Sequence, residues 1–165
     1  MIAVIGCGNA NRTDDAAGLE VVRLLHSRNN LAARKDVQLF GAGTDGMAVM
    51  FAARGCSTLF IADSSRSGTE PGAIFEVPGE ELEGRHEPSL NLHDFRWDHA
   101  LYAGRRIYRD AFPKNVTVFL IEARSLALGC GLTPGIDAAV EAVAAKIEAR
   151  IASMPVSLTV VEPAQ

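Results

Sequence analysis

The chain opens on a short apolar run, Met1-Ile-Ala-Val-Ile-Gly6, closed by Gly6-Cys7-Gly8-Asn9. A β-branched run that ends in glycines reads as a buried strand entering a tight loop. Thr13 stands where it can cap a helix, with Asp14 and Asp15 in a first turn whose free amides favour carboxylates. Leu19, Val22, Leu24 and Leu25 then supply an apolar helical face up to about Arg28. Val37–Phe40 predicts a second strand, and Gly41-Ala-Gly-Thr44 turns into a helix over Gly46–Ala53. Thr58–Ala62, ended by Asp63, predicts a third strand whose two apolar faces call for helices on both sides of the sheet. Gly72–Pro78 predicts a further strand, placed at an edge because Pro78 cannot donate to a ladder.

Residues 79–92 are polar and punctuated by Pro and Gly, the pattern of a mobile connection. From His93 to about Tyr108 the pattern carries a helix, and Val116–Glu122 is the next central strand. Pro134 suits the first position of a last, alanine-rich helix over about 135–152. Pro155–Val161 can add a short edge strand of unassigned place. Alternating strands and helices predict one three-layer α/β/α domain over residues 1–165. Its sheet is expected to be five-stranded, doubly wound and mostly parallel, with an antiparallel edge strand allowed.

Composition narrows the function. The 165 residues carry a formal net charge of −4, which leaves no basic face for nucleic acid phosphates. Cys7, Cys56 and Cys130 are odd in number and widely spaced, so a reducing, cytoplasmic setting is expected. No run approaches the ~18 apolar residues of a membrane span and no signal segment is read, so no membrane partner is expected. No exposed apolar pattern demands a second copy; a monomer is expected and a dimer left open.

Ligands of open α/β sheets bind beyond the carboxyl ends of strands. Three polar clusters fall at such ends: Asn9/Asp14/Asp15, Thr44/Asp45 and Asp63/Ser64, and the loop at His93 can fold over the same edge. Two carboxylates and an imidazole suit a divalent metal with open positions. Each has a bland reading as well: Asp14 and Asp15 as helix caps, Asp63 as a turn former, His93 as a solvated cap. His26, His86 and His99 are weaker candidates, in helical patterns or a polar loop. Gly6-Cys-Gly8 lacks the third glycine of a dinucleotide loop, since Asn11 stands there. No Walker A segment and no Gly-x-Ser-x-Gly elbow occur, and Cys7 and Cys56 form no pair with a histidine.

The order of motifs adds more. Val4-Ile-Gly-Cys-Gly-Asn9 with Thr13-Asp-Asp-Ala-Ala-Gly18, Gly43-Thr-Asp-Gly46, Ile61-Ala-Asp63, Gly68-Thr-Glu-Pro-Gly-Ala-Ile74, Ser89-Leu-Asn-Leu-His93 and Leu132-Thr-Pro134 together resemble the hydrogenase maturation endopeptidase family over roughly residues 2–152. The resemblance implies an α/β peptidase with Asp15, Asp63 and His93 as catalytic and metal-recognising residues. The Ni²⁺ would be carried by the substrate, with no permanently bound cofactor. It further implies a [NiFe] hydrogenase large-subunit precursor as partner, from which a C-terminal extension is removed. Ala16 and the pair Glu122-Ala123 depart from the usual glycine and Gln-Pro of that family, and Ser89 lies farther from His93 than is common there. A non-catalytic metal-sensing or precursor-binding module, and a small-molecule hydrolase on the same scaffold, stand as alternatives.

Overall fold

The structure, a computed structural model, describes residues 1–83 and 95–156. The opening apolar run forms strand β1, Ile2–Cys7, with every residue buried. It has a parallel neighbour on each side, and helices packed on the two sheet surfaces bury both of its faces. Strand β2 is Val37–Gly43, β3 Thr58–Ser65, β4 Ile74–Pro78 and β5 Asn115–Glu122. The sheet order is β2-β1-β3-β5-β4, parallel throughout except for β4, which runs antiparallel to β5 at the edge where Pro78 is tolerated. The chain leaves β1 for β2 on one side and returns to β3 on the other, so the winding reverses between β1 and β3.

Among the described residues five α-helices accompany the strands: α1 Ala17–Arg28, α2 Gly46–Ala53, α3 Gly79–Glu83, α4 Trp97–Tyr108 and α5 Ile136–Ser153. Side chains alternate across the sheet with period two. Ile2, Val4, Phe60 and Phe119 pack with Val21, Leu25, Val143 and Ile147 of α1 and α5. Ala3, Ile5, Leu59 and Val118 pack with Val49, Ala53, Ala100 and Leu101 of α2 and α4. This is the expected three-layer α/β arrangement. Among the described residues no helix is long and apolar enough to cross a membrane.

Helix α1 meets the sheet backbone to backbone. A Cβ added at Gly18 would lie 2.1 Å from the carbonyl oxygen of Ala62 and 2.5 Å from that of Cys7. One added at Gly6 would lie 2.3 Å from the carbonyl oxygen of Gly18. The first turns of α1 are thereby seated on the carboxyl ends of β1 and β3.

Several local expectations are corrected. Thr13 does not cap α1: residues Thr13–Ala16 form a 3₁₀ turn, with Thr13 at φ 40°, and its hydroxyl donates instead to the carbonyl of Ser125 at 2.7 Å. Pro134 lies ahead of the last helix, because Gly135 at φ 95° turns the chain before α5 starts at Ile136. Residues 79–83, expected in a mobile stretch, form α3; the remainder of that stretch lies outside the described residues. So do His86, Ser89 and His93, and α4 is described from Trp97. Residues 155 and 156 are not strand, and the rest of the proposed edge strand lies outside the described residues.

Gly18→Ala is expected to destabilise the fold by about 3 kcal/mol or more, because a methyl group cannot enter a backbone contact without moving the helix. A urea midpoint equal to that of the unsubstituted chain would show that α1 can shift at little cost.

Candidate functional site

The carboxyl ends of β1, β2 and β3 surround a cavity of about 240 Å³ lined by Cys7, Gly8, Asp15, Thr44, Asp45, Asp63, Arg96 and Trp97 among others. It lies at the reversal of winding between β1 and β3, where open sheets leave a crevice. The three predicted polar clusters each contribute to it: Asp15 from the 3₁₀ turn, Thr44 and Asp45 from the end of β2, and Asp63 from β3. Asp14 and Asn9 are not on its wall.

Asp15 reaches the cavity because the backbone crowds around Gly8. That residue has φ 119°, and a Cβ there would sit 1.7 Å from the carbonyl oxygen of Asp15. Asp63 is buried, with 1% of its surface exposed. Ser64 joins the two acids: its N–H donates to Asp63 Oδ1 at 2.8 Å, and its hydroxyl donates to Asp15 Oδ1 at 2.8 Å. On its other oxygen, Asp63 accepts from Trp97 Nε1 at 2.6 Å and from the Arg96 guanidinium at 3.1 Å. Burial raises the Asp63 pKa, and the Asp15 charge adds to the rise; Trp97, Arg96 and Ser64 offset only part of it.

Arg96 and Trp97 are held from the α2 side. The Gly46 N–H donates to the carbonyl of Phe95 at 3.1 Å, and a Cβ on Gly46 would stand 2.3 Å from that oxygen. Asp45 accepts from the Ala48 amide at 3.0 Å and so caps α2 while facing the cavity.

Asp14 has a different task from the helix cap expected of it. It is fully buried and accepts from the amides of Arg124, Ser125 and Thr133 and from the Thr133 hydroxyl, at 2.6–3.0 Å. Burial pushes its pKa up, but these donors outweigh burial and hold it below the ordinary range. The turn that presents Asp15 is thus tied to the segment between β5 and α5. Thr13 and Gly129 reinforce the tie through an amide-to-carbonyl bond of 2.9 Å.

Cys7 lines the cavity as a buried thiol. Burial first, then the charge of Asp63, push its pKa well above the usual thiol value, with Arg96 opposing. Such a thiol is a poor nucleophile at neutral pH. The Ser64 hydroxyl donates to Asp15, and among the described residues no histidine lines the cavity. Among the described residues no group of three or more His, Cys, Asp or Glu is placed to hold a metal ion. Of the predicted trio, Asp15 and Asp63 come together, and His93 lies outside the described residues.

Glu122, at one of the departures from the family pattern, is buried and anchors the loop after β3. It accepts from the amides of Ser67 and Gly68 and from the hydroxyls of Ser65 and Ser67, at 2.8–3.0 Å. Burial raises its pKa, but these donors prevail and lower it from 4.5 to about 2.

An acidic crevice at the switch point of a mostly parallel α/β sheet defines the class: a three-layer α/β protein with its chemistry on the carboxyl edge. A family model described as hydrogenase maturation protease (HycI) matches residues 19–150. The chain is 30% identical over 141 residues to the hydrogenase 2 maturation protease of Escherichia coli K12, covering 85% of this chain and 84% of that protein. The structure of the hydrogenase maturating endopeptidase HybD from E. coli superposes with a TM-score of 0.74 at 27% identity, over 92% of this chain and 91% of that one. The fold also recurs in a [NiFe] hydrogenase maturation protease HycI from Thermococcus kodakarensis, with a TM-score of 0.69, 17% identity and 90% of both chains covered. The chain belongs to the hydrogenase maturation protease family and is an enzyme of that kind. The matched segment takes in Asp63, Arg96 and Trp97 but begins four residues after Asp15.

Because the folded pKa of Glu122 is depressed, its ionised form stabilises the fold above pH 4.5, and that contribution is lost as pH falls toward about 2. Urea unfolding of Glu122→Gln beside the unsubstituted chain is expected to show the largest gap near neutral pH. The gap should narrow as the pH is lowered to about 3. A gap that does not change with pH would assign the loss to packing instead of charge.

Proposed function

We propose that the chain is the endopeptidase that removes a C-terminal extension from the nickel-loaded large subunit of a [NiFe] hydrogenase. In this reading Asp15, Asp63 and His93 contact the substrate's nickel through its open positions. The observation that carries it is that Asp15 and Asp63 both line the cavity and are joined by the single residue Ser64. Carboxylate oxygens facing one space, with apolar protein behind Asp63, suit a divalent cation that arrives with some ligands of its own. His93 precedes Arg96 by three positions, and Arg96 is on the cavity wall.

The nickel belongs to the substrate, held there mainly by cysteine sulfurs, and the enzyme's acids read its presence. That contact fixes the register of the peptide against the enzyme and lowers the entropic cost of reaching the transition state. Asp63 is braced by Trp97 and Ser64, so its carboxylate is already held in place when the cation arrives. Asp15, partly exposed and held by one hydroxyl, is the freer acid and the better placed to take a proton from an attacking water. Three free thiols, two of them buried, accord with a cytoplasmic enzyme. It works as a monomer on its precursor.

Asp15→Asn, Asp63→Asn and His93→Ala are each expected to slow processing of nickel-loaded precursor by about 100-fold or more while the fold is kept. Intact mass of the precursor follows the reaction, with nickel-free precursor as the comparison. Unchanged rates in all three variants would remove these residues from the mechanism. Equal cleavage of loaded and unloaded precursor would remove nickel recognition.

A further inference from the structure

Asp63 and Arg96 form an ion pair of unequal partners. The carboxylate is 1% exposed, whereas the arginine side chain is 62% exposed and touches it through one nitrogen at 3.1 Å. A buried carboxylate needs a compensating charge, and a neutral donor such as the Trp97 indole supplies only part of one. Arg96 brings that charge from the open side of the cavity. Its backbone is fixed: its carbonyl accepts from the Ala100 amide at 3.0 Å, and the Gly46 amide pins the neighbouring Phe95 at 3.1 Å. Among the described residues the long side chain beyond that fixed point has no second hydrogen bond in the cavity, and a single-point contact can be released into water without disturbing the helix.

We propose that Arg96 is a built-in stand-in for the cation. It occupies Asp63 in the free enzyme and swings out when a precursor presents its nickel. Free divalent ions therefore meet a site already neutralised by a tethered guanidinium. The nickel of a docked precursor has the protein–protein contact behind it and displaces Arg96. The pair biases the enzyme toward metal that arrives on its substrate. Arg96 is thus a selectivity device, and this role rests on the reading that Asp63 faces the substrate's nickel.

Trp97 is the single tryptophan of the chain and donates directly to Asp63, so its emission reports on that carboxylate. The full chain titrated with Ni²⁺ alone, followed by Trp97 fluorescence and by calorimetry, tests the proposal. Arg96→Met is expected to bind Ni²⁺ at least about tenfold tighter than the unsubstituted chain, and the gain should vanish when Asp63→Asn is added. Arg96→Gln keeps a neutral donor within reach and should show a gain in the same direction if Arg96→Met folds poorly. Equal affinity with and without Arg96, or a gain that survives Asp63→Asn, overturns the stand-in role. Processing by Asp63→Asn separates this from failure of the site itself. A dead Asp63→Asn with unchanged Ni²⁺ affinity in the Arg96 variants sinks only the role of Arg96. A fully active Asp63→Asn sinks the nickel-facing site and this inference with it.

Discussion

The architecture of the site depends on one backbone contact, the seating of Gly18 in α1 against the carbonyls of Cys7 and Ala62. Glycine inside a helix is unfavourable by itself, by about 1 kcal/mol relative to alanine. Here it allows the helix axis to approach the sheet more closely than any side chain would permit. The 3₁₀ turn before α1 is therefore held directly over the ends of β1 and β3, and Asp15 arrives within reach of Ser64. With an ordinary helix–sheet separation set by side chains, the two acids would belong to different regions of the surface.

Two carboxylates that look equivalent in the sequence then diverge through their surroundings. Asp14 is surrounded by donors that favour its ionised form, a structural anion that ties the turn carrying Asp15 to the segment between β5 and α5. Asp63 is enclosed by apolar core below and given a few donors above, so its charge is less well supported. Burial costs the same kind of energy for Asp14 and Asp63, and the number of donors aimed at the carboxylate decides the outcome.

Much of the fold was legible because its signals are local. The buried runs of β1, β3 and β5, the helix at Gly46–Ala53 and the edge position of β4 follow from apolar patterning and from one proline. The joints were less legible. Thr13 has the chemistry of a cap, yet its hydroxyl serves Ser125, a partner 112 positions away that no local pattern announces. Asp14 was read with Asp15 as a helix-start acid for the same reason. In the site, Asp15 and Asp63 were found from strand-end placement and family resemblance. Arg96 and Trp97 were missed, although they follow His93 closely at the start of a predicted helix. A tryptophan and an arginine at a helix entrance are common enough that only the shared oxygen of Asp63 distinguishes them. Ser64 was noted as a polar neighbour, but its bridging geometry requires the twist of β3 to be known.

The crowded glycines at positions 6, 8 and 18 also set where this enzyme can diversify. No side chain can be added at these three positions without displacing backbone, so change in what the crevice accepts is left to other residues of its wall. The exposed part of that wall is the entrance to α4, where the Arg96 side chain is 62% exposed. Drift in what the crevice accepts is thus channelled toward that entrance, while the glycine backbone under α1 resists change.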